Sequence, residues 1–288
     1  MYRFVPAYKI PDSDMVKKFV DKVAAIDRLL VLTGAGVSTE SGIPDYRSEK
    51  TGLFARSNHR PITIQEFMAC ESARKRYWCR NFLAWPTFSR AICNKAHLAI
   101  ASWERSEKFV WLITQNIDAL HTKAGSTLLS ELHGCGHRVK CMECGDVTGR
   151  AEHQSRLQKL NAEWSKINLP GEIAPDGDVE IEEGVHESFV LPSCSKCGGI
   201  LKTDVVFFGD NVAQDMVDLC YEKIDECSGV LVLGSSLTVN SGFRFPYCAS
   251  LQGKPVLIVN IGPTRADNFA EMRISAPVTE IITKLSLL

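Results

Sequence analysis

Leu29-Leu-Val-Leu-Thr33 runs directly into Gly34-Ala35-Gly36-Val-Ser-Thr39-Glu-Ser-Gly42-Ile-Pro-Asp45-Tyr46-Arg47. The first five residues, apolar or β-branched and without alternation, describe a strand buried on both faces, the habit of a parallel sheet. Closely spaced glycines after such a strand let backbone amides approach a pyrophosphate, with a helix N-terminus behind them. A plain strand-to-helix turn has the same composition, so the loop alone leaves both readings open. The spacing narrows the chemistry. A dehydrogenase fingerprint G-x-G-x-x-G needs glycine at position 39, where Thr39 stands, and no acidic residue ends a second strand about twenty residues on. The loop therefore favours dinucleotide binding and argues against hydride transfer. Asp45 and Arg47, just past Pro44, would either close over a nucleotide or pair with each other.

Similar short apolar runs recur at Phe109–Ile113, Val205–Phe208, Val230–Leu233 and Val256–Val259, with helical patterns such as Asp14–Ile26 and Asp215–Glu226 between several of them. That alternation predicts an α/β fold, a Rossmann-type doubly wound parallel sheet. Two stretches interrupt it. Residues 47–100 read mainly as helix, with Phe67, Tyr77, Trp78, Phe82 and Trp85 available for packing, and residues 135–203 hold two cysteine pairs. We expect residues 1–46, 101–134 and 204–288 to build the sheet domain, and the two excursions to form a smaller helical and metal-binding module. Gly171–Gly184 reads as a loop tethered through the flanking Trp164 and Phe189.

Bulk properties agree with a soluble globular chain of 288 residues, 45% hydrophobic and 23% charged. A formal charge of −1 gives no general electrostatic case for nucleic acid. No apolar run approaches the ~20 residues of a membrane span. Eleven cysteines with no secretory h-region disfavour a disulfide scaffold and favour a reducing compartment with metal-binding thiols. No Arg/Ser-rich transit segment is visible at the start, which fits a cytosolic or nuclear protein or one already processed.

Cys141-Met-Glu-Cys144 and Cys194-Ser-Lys-Cys197 are two C-x-x-C knuckles, each followed by glycine, and predict one structural zinc with all four positions filled by sulfur. After Phe109–Ile113 comes Thr114-Gln115-Asn116-Ile117-Asp118-Ala-Leu-His121, placing amides and a carboxylate where open α/β sheets bind ligands. Glu131-Leu-His133-Gly134 offers an imidazole before a glycine turn. Either His121 or His133, taken alone, is as readily structural as catalytic.

Together these stretches resemble the sirtuin family. Gly34–Arg47 matches G-A-G-x-S-x-x-S-G-I-P-D-[FY]-R, and Thr114–Gly125 with Glu131–Gly134 matches T-Q-N-[IV]-D-x-L-H-x-x-A-G followed by E-x-H-G. The resemblance spans residues 14 to 285 and extends through the paired knuckles. It implies an NAD-consuming protein-lysine deacylase yielding nicotinamide and O-acyl-ADP-ribose. His133 would be the general base, with Asn116 and Asp118 also catalytic, and His121 a structural partner. Gly34, Ala35, Gly36, Thr39, Asp45, Tyr46, Arg47, Gln115, Asn116, Ile117 and Asp118 would line the NAD site. On its adenosine side, Gly234, Ser235, Ser236, Asn260, Ile261, Gly262 and Val278 would join them. Nicotinamide is a good leaving group, so no strong protein nucleophile is needed. The substrate amide oxygen attacks the ribose, and a near-neutral imidazole activates a ribose hydroxyl.

Thr203-Asp-Val-Val206-Phe207-Phe208-Gly209-Asp210 resembles the family's substrate stretch, where an acyl-lysine peptide lies as an added strand. Asp210 replaces the usual glutamate, Thr203 the usual proline, and Ser241 another proline, which would loosen the following helix. Tyr77 and Arg80 share a helix face and resemble the pair that binds acidic acyl ends in some members, although a solvated arginine beside a packing tyrosine fits equally. The 49 residues between Cys144 and Cys194 exceed the family's usual spacing and would form a loop near the cofactor or acyl channel. Asp45–Glu49, Arg76–Trp78, Ala174–Asp178 and Asn260–Arg265 most resemble a mitochondrial subtype that removes acetyl weakly, and lipoyl, biotinyl or branched groups. That implies a matrix location, acylated lysines of proteins as partners and no membrane or nucleic-acid partner, with a monomer expected. Mono-ADP-ribosyl transfer to a protein is the alternative activity, and a non-enzymatic zinc-dependent binding module a weaker one.

Overall fold

The computed structural model describes residues 4–50, 52–53, 61–166, 174–176, 178–179, 181 and 184–285. Strands β1 (Leu29–Thr33), β2 (Phe109–Thr114), β3 (Leu129–Glu131), β7 (Gly229–Leu233), β8 (Val256–Val259) and β9 (Met272–Ile274) form one sheet in the order β3-β2-β1-β7-β8-β9. Every neighbouring pair is parallel. The order reverses between β1 and β7, the switch point at which doubly wound sheets open a ligand crevice. The doubly wound reading is borne out, and both three-residue edge strands, β3 and β9, were too short to read from pattern.

Alternate residues of the central strands serve opposite cores. Leu29 and Val31 of β1 with Leu231 and Leu233 of β7 face helices α1 (Ser13–Ala24), α4 (Lys95–Trp103) and α9 (Val278–Ile282). Leu30, Leu32, Val230 and Val232 face α7 (Gln214–Glu226) and α8 (Asn240–Leu251). All of these strand residues are wholly buried, each contributing ~1.5–3 kcal/mol of apolar transfer. The chain thus needs an uninterrupted hydrophobic run, and no period-2 pattern, wherever both faces are covered.

A smaller module sits beside the sheet. Helices α2 (Ile64–Ala69), α3 (Glu71–Ser89) and α6 (Arg150–Leu160) pack on an antiparallel sheet β5-β4-β6, formed by β4 (Gly134–Cys141), β5 (Val147–Gly149) and β6 (Leu201–Val205). Its core gathers Phe67, Trp78, Phe82, Trp85, Phe88, Leu157 and Phe189. Trp164 and Phe189 meet edge to face at 5.5 Å, so the flanks of Gly171–Gly184 come together, although much of that loop lies outside the described residues.

Three expectations change. Val205–Phe208 is not a strand of the parallel sheet: Val205 ends β6 in the small antiparallel sheet, and the next residues leave it, with only an isolated bridge from Phe208 to Thr63. The run lines a cavity, and Val205 and Phe207 also pack in the core of the small module. Lys95–Trp103 lies largely within the stretch assigned to the small module, yet Ala96, Ile100 and Trp103 join the core under the large sheet. The boundary expected after residue 203 falls inside β6, whose pairing with β4 crosses it. Among the described residues no helix is long and apolar enough to cross a membrane.

Candidate active site

Two glycine loops meet at the switch point. Gly34 follows β1 and Gly234 follows β7; the Gly34 amide donates to Leu233 O at 3.1 Å and the Gly36 amide to Gly234 O at 2.8 Å. A Cβ on Gly36 would lie 2.9 Å from both the Cα and the carbonyl oxygen of Gly234. The glycine at 36 is therefore demanded by the contact between the loops as well as by any ligand. The chain continues into a 3-10 turn, Ala35–Ser41, tightened by Thr39 Oγ1 donating to Gly36 O at 3.0 Å. Asn94, which caps α4, anchors that turn by donating to Val37 O at 2.7 Å. The Asp45 carboxylate accepts from the amides of Arg47 and Ser48 at 2.9 and 2.7 Å and so caps the following turn.

Beneath the loop lies a polar network whose protons can be assigned. The Asn94 amide donates to His97 Nδ1, so His97 Nε2–H faces Ser38 Oγ at 3.4 Å. Ser38 also accepts from Asn116 Nδ2 at 3.2 Å and donates to Asp118 Oδ2 at 2.6 Å. Asn116 reaches Gly34 O, and Asp118 Oδ1 takes the Leu120 amide at 2.9 Å. Burial raises the Asp118 carboxyl, against the pull of Ser38 and the Leu120 amide. Burial pushes His97 down to about 4. His121, in the single-turn helix α5 (Leu120–Lys123), is buried on the far side of this network, bonded to Thr33 Oγ1 at 3.0 Å and not lining the cavity.

His133 stands between β3 and β4. Its Nδ1 lies 2.9 Å from Gln115 O and its Nε2 2.7 Å from Ser241 Oγ. Burial lowers its ionisation below the ordinary 6.5, with the Gln115 carbonyl acting in the other direction. The ring is therefore neutral at physiological pH, the state a base requires.

All of this opens on one cavity of about 1400 Å³, above the ~300–1,000 Å³ of an ordinary small-molecule pocket and roomy enough for two substrates. Every expected nucleotide-binding residue lines it: Gly34, Ala35, Gly36, Thr39, Asp45, Tyr46, Arg47, Gln115, Asn116, Ile117, Asp118, Gly234, Ser235, Ser236, Asn260, Ile261, Gly262 and Val278. His133, Val206, Phe207, Phe208, Gly209 and Tyr77 line it too. Arg80 does not. Its Nε lies 2.9 Å from Asp178 Oδ1 and donates to Val179 O, while Tyr77 shares a hydrogen bond with Thr203 Oγ1. The pair thus splits, tyrosine to the cavity and arginine to the long insertion. Sequence reading did not assign to the site Ser38, although it is the serine of the quoted G-A-G-x-S motif, nor Ser241, Pro175, Asp176 and Asp178, which come from distant segments.

The four knuckle cysteines bring their Sγ atoms within 4.8 Å of one another, with Cys141–Cys197 at 3.5 Å and Cys144–Cys194 at 3.8 Å. Tetrahedral zinc with Zn–S near ~2.3 Å needs sulfurs about 3.8 Å apart, so the donor set fits. None of the four lines the cavity, consistent with a structural ion.

Comparison with known proteins agrees with this arrangement. Residues 34–241 match the sequence profile of the Sir2 family. The NAD-dependent protein deacylase sir-2.2 of Caenorhabditis elegans is 49% identical over 98% of this chain and 99% of its own length. The mitochondrial NAD-dependent protein lipoamidase sirtuin-4 of Bos taurus is 51% identical over 97% of this chain and 88% of its own. Among solved structures, a Sir2 complex with a p53 peptide and NAD+ superposes with a TM-score of 0.68 at 27% identity, covering 93% of this chain and 96% of that one. The glycine loops at the switch point, the Ser38–Asn116–Asp118 network, His133 and the four-cysteine cluster are carried by a member of the Sir2 family.

Proposed function

We propose that the cavity is the active site of an NAD-dependent protein-lysine deacylase, in which His133 is the general base. The observation that carries the reading is convergence: the glycine loops, Gln115–Asp118 and a neutral His133 come from three separate segments and face one space. NAD would supply an activated ribosyl centre with nicotinamide as leaving group. The loop amides and the Asn116–Ser38–Asp118 network hold the nucleotide, Asp118 being fixed through Ser38 and the Leu120 amide. Val206–Gly209 lines the cavity, and an extended peptide laid beside it would bring the acyl-lysine between Phe207 and His133. His133 Nε2 takes a proton from a ribose hydroxyl, with its Nδ1–H held by Gln115 O.

The acyl group we favour is neutral, of the acetyl, lipoyl or biotinyl kind. The bovine relative is named a lipoamidase. Arg80, the one cation expected to meet an acidic acyl end, is engaged by Asp178 instead. The bovine and human relatives are both named mitochondrial, which supports the same location here. An acyl-lysine peptide panel with NAD, reading nicotinamide and deacylated peptide together, tests the activity and the acyl preference. Deacylation that needs the acyl peptide supports the reading. Full turnover by His133→Tyr, or ADP-ribose appearing on protein with the acyl group intact, would overturn it, the latter in favour of mono-ADP-ribosyl transfer.

A further inference from the structure

His133 is held at both ring nitrogens. A carbonyl oxygen only accepts, so the 2.9 Å contact with Gln115 O puts the proton on Nδ1. In the neutral ring Nε2 is then a lone pair, and the Ser241 hydroxyl at 2.7 Å donates to it. Ser241 stands in the first turn of α8 but does not cap it: the amides of Gly242 and Phe243 go to Val239 O at 3.2 and 3.0 Å, and the helix has no side-chain cap. The start of α8 is also seated on Gln115. A Cβ on Gly242 would lie 2.4 Å from Gln115 Oε1, and Gln115 Nε2 donates to Ser235 Oγ at 2.8 Å. The residue that holds Nδ1 thus also fixes the helix that presents the hydroxyl to Nε2.

We propose that Ser241 is a positioning residue for His133, its hydroxyl fixing the ring's plane and partnering Nε2 in both protonation states. This rests on the reading of His133 as the base. Before reaction Ser241 donates to the Nε2 lone pair, and that bond gives way when a ribose hydroxyl donates to the same lone pair. When a ribose O–H bond breaks and its proton forms the Nε2–H bond, the ring becomes a cation. A serine hydroxyl can rotate to accept from that N–H, and charge-assisted bonds of this kind are the stronger ones. Among the described residues no charged side chain takes that part: burial and the Gln115 carbonyl are the causes acting on the ring.

Ser241→Thr and Ser241→Val in the full chain differ in the hydroxyl and little in shape. Exchange of labelled nicotinamide into NAD, with an acylated peptide present, reads the steps before His133 acts. Deacylated peptide reads the steps that need it. Threonine should keep both rates within about twofold, while valine keeps exchange but loses about tenfold in deacylation, the scale of a weakened base. Nitrogen NMR of His133 should report Nδ1–H in all three proteins, with the hydrogen-bonded Nε2 shift of the wild type and Ser241→Thr lost in Ser241→Val. Equal deacylation by the two variants, exchange and deacylation falling together, or an unchanged Nε2 shift in Ser241→Val would each overturn the proposal. Absence of acyl-dependent nicotinamide release by the wild type would instead sink the functional reading, and the Nε2 shift would still decide the role of Ser241.

Discussion

Gly134→Ala should damage the site more than a methyl added at any other described glycine. Gly134 has φ +79°, a region in which an L side chain costs ~1–2 kcal/mol. An added Cβ would lie 2.0 Å from Asp204 O and 2.9 Å from its carbonyl carbon, whereas real Cβ contacts essentially never fall under 3.0 Å. β6 must therefore retreat by about 1 Å, and a shift on that scale can cost ~10²-fold when it misplaces reacting groups. The movement strains the bond from the Val206 amide to His133 O, 2.9 Å long and worth ~1 kcal/mol net. Strain and lost bond together come to about 2–3 kcal/mol, or a Tm lower by about 4–12 °C at this chain length. Because Gly134 adjoins His133 and β6 leads into Val206–Gly209, base and peptide edge move apart together. Steady-state deacylation and thermal unfolding should be compared with Gly149→Ala, where φ is −68° and nothing lies within 4 Å of the new Cβ. If Gly134→Ala matches Gly149→Ala in both kcat/KM and Tm, the geometric argument is wrong.

Removing the zinc, by chelation or Cys194→Ser, frees a 49-residue loop between Cys144 and Cys194, a constraint worth ~4 kcal/mol on the loop-entropy scale. Hydrogen exchange in β4 and β6 should rise sharply, and protection unchanged after metal loss would refute a structural ion. Ser38→Ala leaves partners on Asn116, His97 and Asp118 unmatched, so nicotinamide release should fall by at least about tenfold with zinc content intact; wild-type rates would show that the network is not used. The His97 imidazole titrates at about 4 in the folded chain and at its ordinary 6.5 in the unfolded one, so the unfolded chain takes up the proton first. Its contribution is whole above pH 6.5 and fades by about 3 kcal/mol as pH falls to 4. Urea midpoints of His97→Gln should lose that part of the pH slope, and an identical slope would refute it. His133, lowered by burial, places the acid limb of deacylation below pH 6.5; a limb above that value would mean another base.

Much of this protein was legible because its signals are local. A buried parallel strand declares itself as an unbroken apolar run, so β1, β2, β7 and β8 could be read from sequence. Val205–Phe208 has the same composition for a different reason, since it lines a cavity while Val205 and Phe207 pack in the small module's core. Composition registers burial against something apolar and does not distinguish a second sheet face from a substrate channel. The helix Lys95–Trp103 was allotted to the wrong core for a related reason: its apolar stripe specifies that a face is buried, not which sheet it is buried against.

The sequence by itself determined the zinc ligands, because C-x-x-C spacing is constrained directly by metal geometry, whereas the dinucleotide loop and His133 were singled out by their resemblance to the sirtuin motifs. Only the tertiary structure decided what those residues touch. Arg80 pairs with Asp178 across 98 positions, and His133 meets Ser241 across 108. Such contacts depend on where separate elements come to rest, and the free energy that sets them there belongs to the packed cores rather than to the residues that meet.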